Sequence, residues 1–207
     1  MLIQLLFSEP QIYFMVAIAI LFGFSVHEYS HAQAAYILGD PTAKYGGRLT
    51  INPLAHFDPI GTLLIFIIGI GWGKPVPFNP YNLRNQKWGP ALVGLAGPLS
   101  NFLLALFVGL LIRFLPLTNP GLLIFFSIFC WLNLVLGLFN LIPVPPLDGS
   151  HIFFAVLPAS FEKLKISLLE TSPFAIFFAI LFMIYIGFPF LARPLFELIT
   201  GMPLPFY

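Results

Sequence analysis

Four stretches of this chain run without a charged side chain for longer than a soluble fold tolerates. They extend from Ile12 to Val26 (the apolar character resuming past a polar cluster to about Leu38), Ala91 to Ile112, Leu122 to Phe139 and Pro173 to Ala192. Crossing the roughly 30 Å hydrocarbon core of a bilayer takes about 20 helical residues, so each stretch predicts a membrane-spanning helix. Only 8% of the residues are charged and 59% are hydrophobic, against roughly 25% charged in soluble domains. Disorder is excluded by the same abundance of apolar and aromatic side chains. The expected fold is an all-α polytopic membrane protein, a single domain over residues 1–207.

A fifth apolar segment, Ile60 to Trp72, has only 13 residues, or roughly 20 Å of helix. That length predicts a re-entrant or interfacial element. Tyr45 to Pro53 (YGGRLTINP) joins a Gly-Gly turn signal to a short alternating stretch, which predicts a small membrane-associated β element. Asn140 to Gly149 (NLIPVPPLDG) carries Pro143, Pro145 and Pro146, so helix cannot continue through it. Irregular backbone at membrane depth survives only where protein or a watery cavity surrounds it, which makes this stretch a site candidate. The single cysteine, Cys130, lies in an apolar run and reads as a buried structural thiol. The N-terminus lacks a basic n-region and a small-residue cleavage site, so its first apolar stretch is expected in the mature protein. Net charge is +1, without a basic run, so nucleic acid is not an expected partner.

The first long stretch contains His27-Glu28-Tyr29-Ser30-His31, an H-E-x-x-H pattern. Positions four apart on a helix share a face, so the two imidazoles can converge on one Zn²⁺ with Glu28 beside it as general base. Ionisable residues inside a lipid-embedded helix are costly and mark function. Catalytic zinc needs a third protein ligand. The candidates are His56, His151, Asp40, Asp58 and Asp148. Asp148 is preferred, being the only acid between Asp58 and Glu162 and lying in the Pro-broken stretch. The plainer reading of Asp148 is an Asp-Gly turn.

HEYSHA on the first span with NLIPVPPLDGSH on a later one resembles the site-2 protease family of intramembrane zinc metalloproteases. The resemblance implies one zinc ion per chain held by His27, His31 and Asp148, with Glu28 activating the water. It further implies that Asn140, at the head of the second motif, holds the substrate or polarises its carbonyl. By residue type alone Asn140 could equally cap its helix or satisfy freed backbone groups. Gly97-Pro98-Leu99-Ser100-Asn101 resembles the family's G-P-x-x-N element, which brings Asn101 in as a substrate-binding candidate beside an interhelical packing role. GGRLTINPLAHFDPIGT with GWGKPVPFNP is similar to the minimal subgroup lacking PDZ and CBS domains. The resemblance runs from about Phe24 to Ala155.

Ligands of one ion must lie at one depth. With Ile60–Trp72 re-entrant, the remaining spans alternate so that His27, His31 and the Asp148 loop approach one membrane face. Lys44, Arg48, Lys74, Arg84, Lys87, Lys163 and Lys165 then share a side opposite Arg113 and Arg193, and the positive-inside rule makes that side cytosolic. The expectation is an enzyme of the cell membrane with its N-terminus outside. It would cleave peptide bonds in or near the transmembrane segments of protein substrates, with bilayer lipid around it. The short stretch Arg48–Ile51 could receive an unwound substrate by strand addition. The competing classes are a catalytically inactive protease-like scaffold, which has no need of Glu28, and a metal transporter, which needs ionisable groups across the full depth.

Overall fold

The computed structural model describes residues 2–69, 71–158, 161, 168 and 172–205. Its helices are punctuated by proline and glycine. After α1 (Leu2–Ser8), Pro10 opens α2 (Pro10–Ile37), and a single turn, α3 (Thr42–Tyr45), follows it. Pro59 opens α4 (Pro59–Ile68), capped by the Asp58 carboxylate, which accepts from the backbone N–H groups of Ile60 and Gly61. Pro90 lies in the first turn of α5 (Gly89–Phe114), and Pro120 opens α6 (Pro120–Asn140) behind an Asn119 cap. Proline is at home in a first turn because the N–H it lacks has no helical partner there. A short α7 (Gly149–Val156) follows the Pro-broken stretch. The C-terminal region runs through α8 (Ser172–Phe182), a wide π-type segment (Met183–Ala192) and α9 (Arg193–Thr200).

Among the described residues, four helices are long and apolar enough to cross a membrane: Pro10–Ile37, Gly89–Phe114, Pro120–Asn140 and Ile176–Thr200. The last continues past Ala192, where the uncharged run ends, because Arg193 donates to Glu197 one turn on at 2.9 Å and the two charges neutralise each other on the helix surface. Ala19, Ala105, Phe129, Leu134 and Phe196 belong to one buried cluster between these helices. The outer faces are as apolar as the inner ones. Leu92, Leu95, Leu99, Leu103, Leu106 and Leu110 form an exposed stripe down α5, a surface that lipid solvates and water does not.

Ile60–Trp72 folds back on itself. After α4 the chain turns at Gly69, where φ is +91°, and returns so that Gly71 lies on the Gly61 carbonyl and Ile65 while Trp72 lies on Gly61. A Cβ on Gly61 or Gly71 would collide with the opposite limb, so this close approach requires glycine. Lys74 N–H then donates to the His56 carbonyl at 2.8 Å, which closes the hairpin at the end where it began.

The expected β element is absent: the described residues contain no strand. Tyr45 ends α3, and the chain from Arg48 to Asn52 has no ladder partner. The segment opposite it includes Pro75 and Pro77, which have no N–H to donate. Side chains bridge instead. The Arg48 guanidinium donates to the carbonyls of Lys74 and Pro75, and His56 Nε2–H donates to the Thr50 carbonyl at 2.7 Å. Of the cations expected on one side, Lys163 and Lys165 lie outside the described residues.

Candidate metal centre

His27, Glu28 and His31 occupy adjacent turns of α2 and are all buried. The Pro-broken stretch after α6 folds back and brings Asp148 to them. His27 Nε2 and His31 Nε2 are 3.0 Å apart, and Asp148 Oδ2 is 3.0 Å from the first and 3.2 Å from the second. Tetrahedral zinc with ligands at 2.0–2.1 Å holds its donor atoms about 3.3 Å from one another, so this near-equilateral triangle has the right edge.

The protons are also in the right place. His27 Nδ1 lies 2.6 Å from Asn101 Oδ1, and His31 Nδ1 lies 2.7 Å from the Val93 carbonyl. Both partners only accept, so each ring carries a proton on Nδ1, which leaves Nε2, facing Asp148, as the position that can ligate a metal. Asp148 Oδ2 is buried against these two ring nitrogens. Two imidazole nitrogens and a carboxylate oxygen converge this closely only around a positive charge, which a proton or a metal cation can supply. The residues present fit a zinc ion.

Gly97 makes room for this. A Cβ there would strike His31 Nε2 and the ring carbons of both histidines, so α5 can approach the imidazoles only because Gly97 has none. Phe24 stacks on His27 with ring centroids 6.5 Å apart, and Phe78 meets His151 edge-on at 5.5 Å. His151 N–H donates to the Asp148 carbonyl at 3.0 Å. The Glu28 carboxylate makes no hydrogen bond or ion pair with the described residues.

The other candidates lie elsewhere. Asp58 caps α4, and His56 is fully buried against Thr50. Asp40 is fully buried and satisfied. It accepts from Thr42 N–H and Oγ1–H and from Asn82 Nδ2–H on one oxygen, and from Asn79 N–H at 2.6 Å on the other. Burial pushes this carboxyl up, but those hydrogen bonds outweigh it and hold the group below the usual carboxylate range. Asn140 donates to the Leu136 carbonyl in the preceding turn of its own helix at 3.0 Å. Asn101 is fully buried and binds His27, Asn133 and the Gly23 carbonyl. Sequence reasoning missed Asn133, and the only available sign was an amide in the middle of an uncharged span.

The family profile of peptidase family M50 matches residues 115–184. YwhC of Bacillus subtilis (strain 168), provisionally named a zinc metalloprotease, is 42% identical over an alignment of 171 positions that covers 78% of this chain and 77% of that one. The chain belongs to peptidase family M50. Zinc metalloprotease MJ0392 of Methanocaldococcus jannaschii is 29% identical over 68% of this chain and 33% of its own. Rip2 of Mycolicibacterium smegmatis, provisionally named likewise, is 31% identical over 69% of this chain and 57% of its own. No solved structure matches the chain. As a zinc metalloprotease of family M50, the chain carries in His27, His31 and Asp148 a group that could hold the metal, within a bundle with four candidate transmembrane helices.

Proposed function

We propose that this protein hydrolyses peptide bonds in or near the transmembrane segments of other membrane proteins, at a zinc site held by His27, His31 and Asp148. The observation that carries the reading is the burial of the three converging donors and Glu28 within helices whose outer surface is lipid-like. His27 is ten residues from the end of α2, or about 15 Å of helix, so the reacting amide meets the site below the membrane surface.

Zinc, when bound, supplies Lewis acidity at the scissile carbonyl and to the attacking water. The chain supplies the rest. The Glu28 carboxylate, adjacent to His27 and without a partner among the described residues, takes the proton from the attacking water and returns it to the leaving amine. Asn101 acts on His27 rather than on substrate, because no part of it is exposed. Asn140, half-buried at the end of α6, is the proposed contact for an unwound substrate strand. Its amide can both donate to a peptide carbonyl and accept from a peptide N–H. The hairpin Ile60–Trp72 is re-entrant, which puts Lys44, Arg48, Lys74, Arg84 and Lys87 on the cytosolic side of the cell membrane.

Glu28→Gln in detergent-purified protein tests the assignment. The variant should retain zinc and its fold while cleavage of a model transmembrane substrate falls at least a hundredfold, within the range for loss of a general base. Cleavage near the wild-type rate would overturn it.

A further inference from the structure

We propose that Asn133, which touches none of the three donor atoms, selects the metal-binding tautomer of His27 by fixing which way the Asn101 amide points. The inference rests on the zinc site proposed above. Both asparagines are buried at the meeting of α2, α5 and α6, at 1% and 0% exposure, where an unsatisfied polar group is costly. Asn133 Nδ2–H donates to the Phe129 carbonyl of its own helix at 2.9 Å, which turns Oδ1 toward α5. Asn101 Nδ2–H donates to that Oδ1 at 2.9 Å and to the Gly23 carbonyl at 3.1 Å. With its amino group committed, Asn101 has only Oδ1 left for His27, 2.6 Å away.

An oxygen there requires the imidazole proton on Nδ1 and leaves Nε2 bare for the metal. With the amide reversed, an amino group would face Nδ1 and favour the other tautomer, whose Nε2–H cannot ligate. Gly23 gives the relay space, since a Cβ on it would stand 2.8 Å from Asn133 Oδ1. Asn133 is thus a positioning residue. Partners of this kind, one bond removed from a metal, change affinity by about 10–100-fold.

The test measures zinc affinity of the detergent-solubilised full chain by competition with a chelator, using thermal unfolding of the metal-free form as the control for folding. Asn133→Leu should weaken zinc binding about tenfold, because the Gly23 carbonyl alone then orients the amide. Adding Asn101→Asp to that variant should restore affinity to within about threefold. A neutral carboxyl there donates its O–H to the Gly23 carbonyl and turns its other oxygen to His27 Nδ1–H, and an ionised one accepts from Nδ1–H through either oxygen, so no amide remains to be oriented. Unchanged affinity in Asn133→Leu would overturn the proposal. So would a loss that Asn101→Asp does not restore, since that would mean simple packing damage. If Asn133→Leu does not fold, Asn133→Ala carries the same pair of measurements. A wild-type chain that fails to hold zinc would instead refute the metal site itself.

Discussion

A methyl group is the smallest perturbation that reaches the metal centre. Gly97 lies against both imidazoles, and Gly97→Ala would force a Cβ onto the His31 ring and His27. The neighbours are ring atoms held from behind by the Val93 carbonyl and Asn101, so they cannot yield without losing those bonds. The expected outcome is a chain that folds but binds zinc at least tenfold more weakly, read by chelator competition. Unchanged zinc affinity would show that the rings have slack. The three donors were legible in the sequence for two reasons. H-E-x-x-H is a local, one-face pattern, and Asp148 is an isolated acid in broken backbone. Gly97, Val93 and Asn133 were not legible as partners of the site, because which helix faces pack together is a long-range outcome.

Among the elements, the segment between α2 and α5 is fastened at its two ends by the Asp40 carboxylate, beside a backbone bond from Arg84 N–H to the Leu38 carbonyl at 2.9 Å. Asp40 follows α2 directly and binds Thr42, Asn79 and Asn82, so the chain that leaves α2 is fastened to the chain about to enter α5. Asp40→Ala would leave those donors without this acceptor and should cost about 1.5–3 kcal/mol, the range for a hydrogen bond to a charged group. The sign of the pH effect follows from the lowered carboxyl. Its stabilisation is complete above the unfolded value of about 3.9 and disappears as pH falls through the lower folded value. Wild type and Asp40→Ala should therefore differ in unfolding temperature at pH 7 and converge in strong acid. A gap that persists there would assign the effect to packing. The strand expected at Arg48–Ile51 misled for an instructive reason. Alternation describes one chain, whereas a strand also needs donors on its neighbour, and Pro75 and Pro77 have none.

At the scale of the molecule, the arrangement of spans can be checked from outside. In a Cys130→Ser background, cysteine placed at exposed Gln86 should be labelled from the cytosol. Cysteine at exposed Thr118, between α5 and α6, should be labelled from the opposite side. Labelling of both from one side would contradict α5 as a crossing. Cys130 itself is buried and donates to the Ala105 carbonyl, a bond that serine keeps. The four candidate spans were readable from the position and length of uncharged runs, because lipid demands uncharged surface over a fixed length.

The Asp40 fastening also makes a ring of the chain between residues 40 and 79, in the manner of a purse drawn shut at its mouth. The perimeter of a closed ring has little influence on where its mouth sits. Doubling the length of a flexible loop adds only about 0.6 kcal/mol of closure entropy. Additional residues at the exposed Gly46–Gly47 turn would therefore enlarge the ring while its mouth stayed at the end of α2. The same closure protects against a cut: a backbone broken at that turn leaves its two sides tied by the Asp40 carboxylate and by the bond from Arg84 N–H to the Leu38 carbonyl. This is the stretch through which the protein can be lengthened, tagged or nicked while His27 and His31 keep their address.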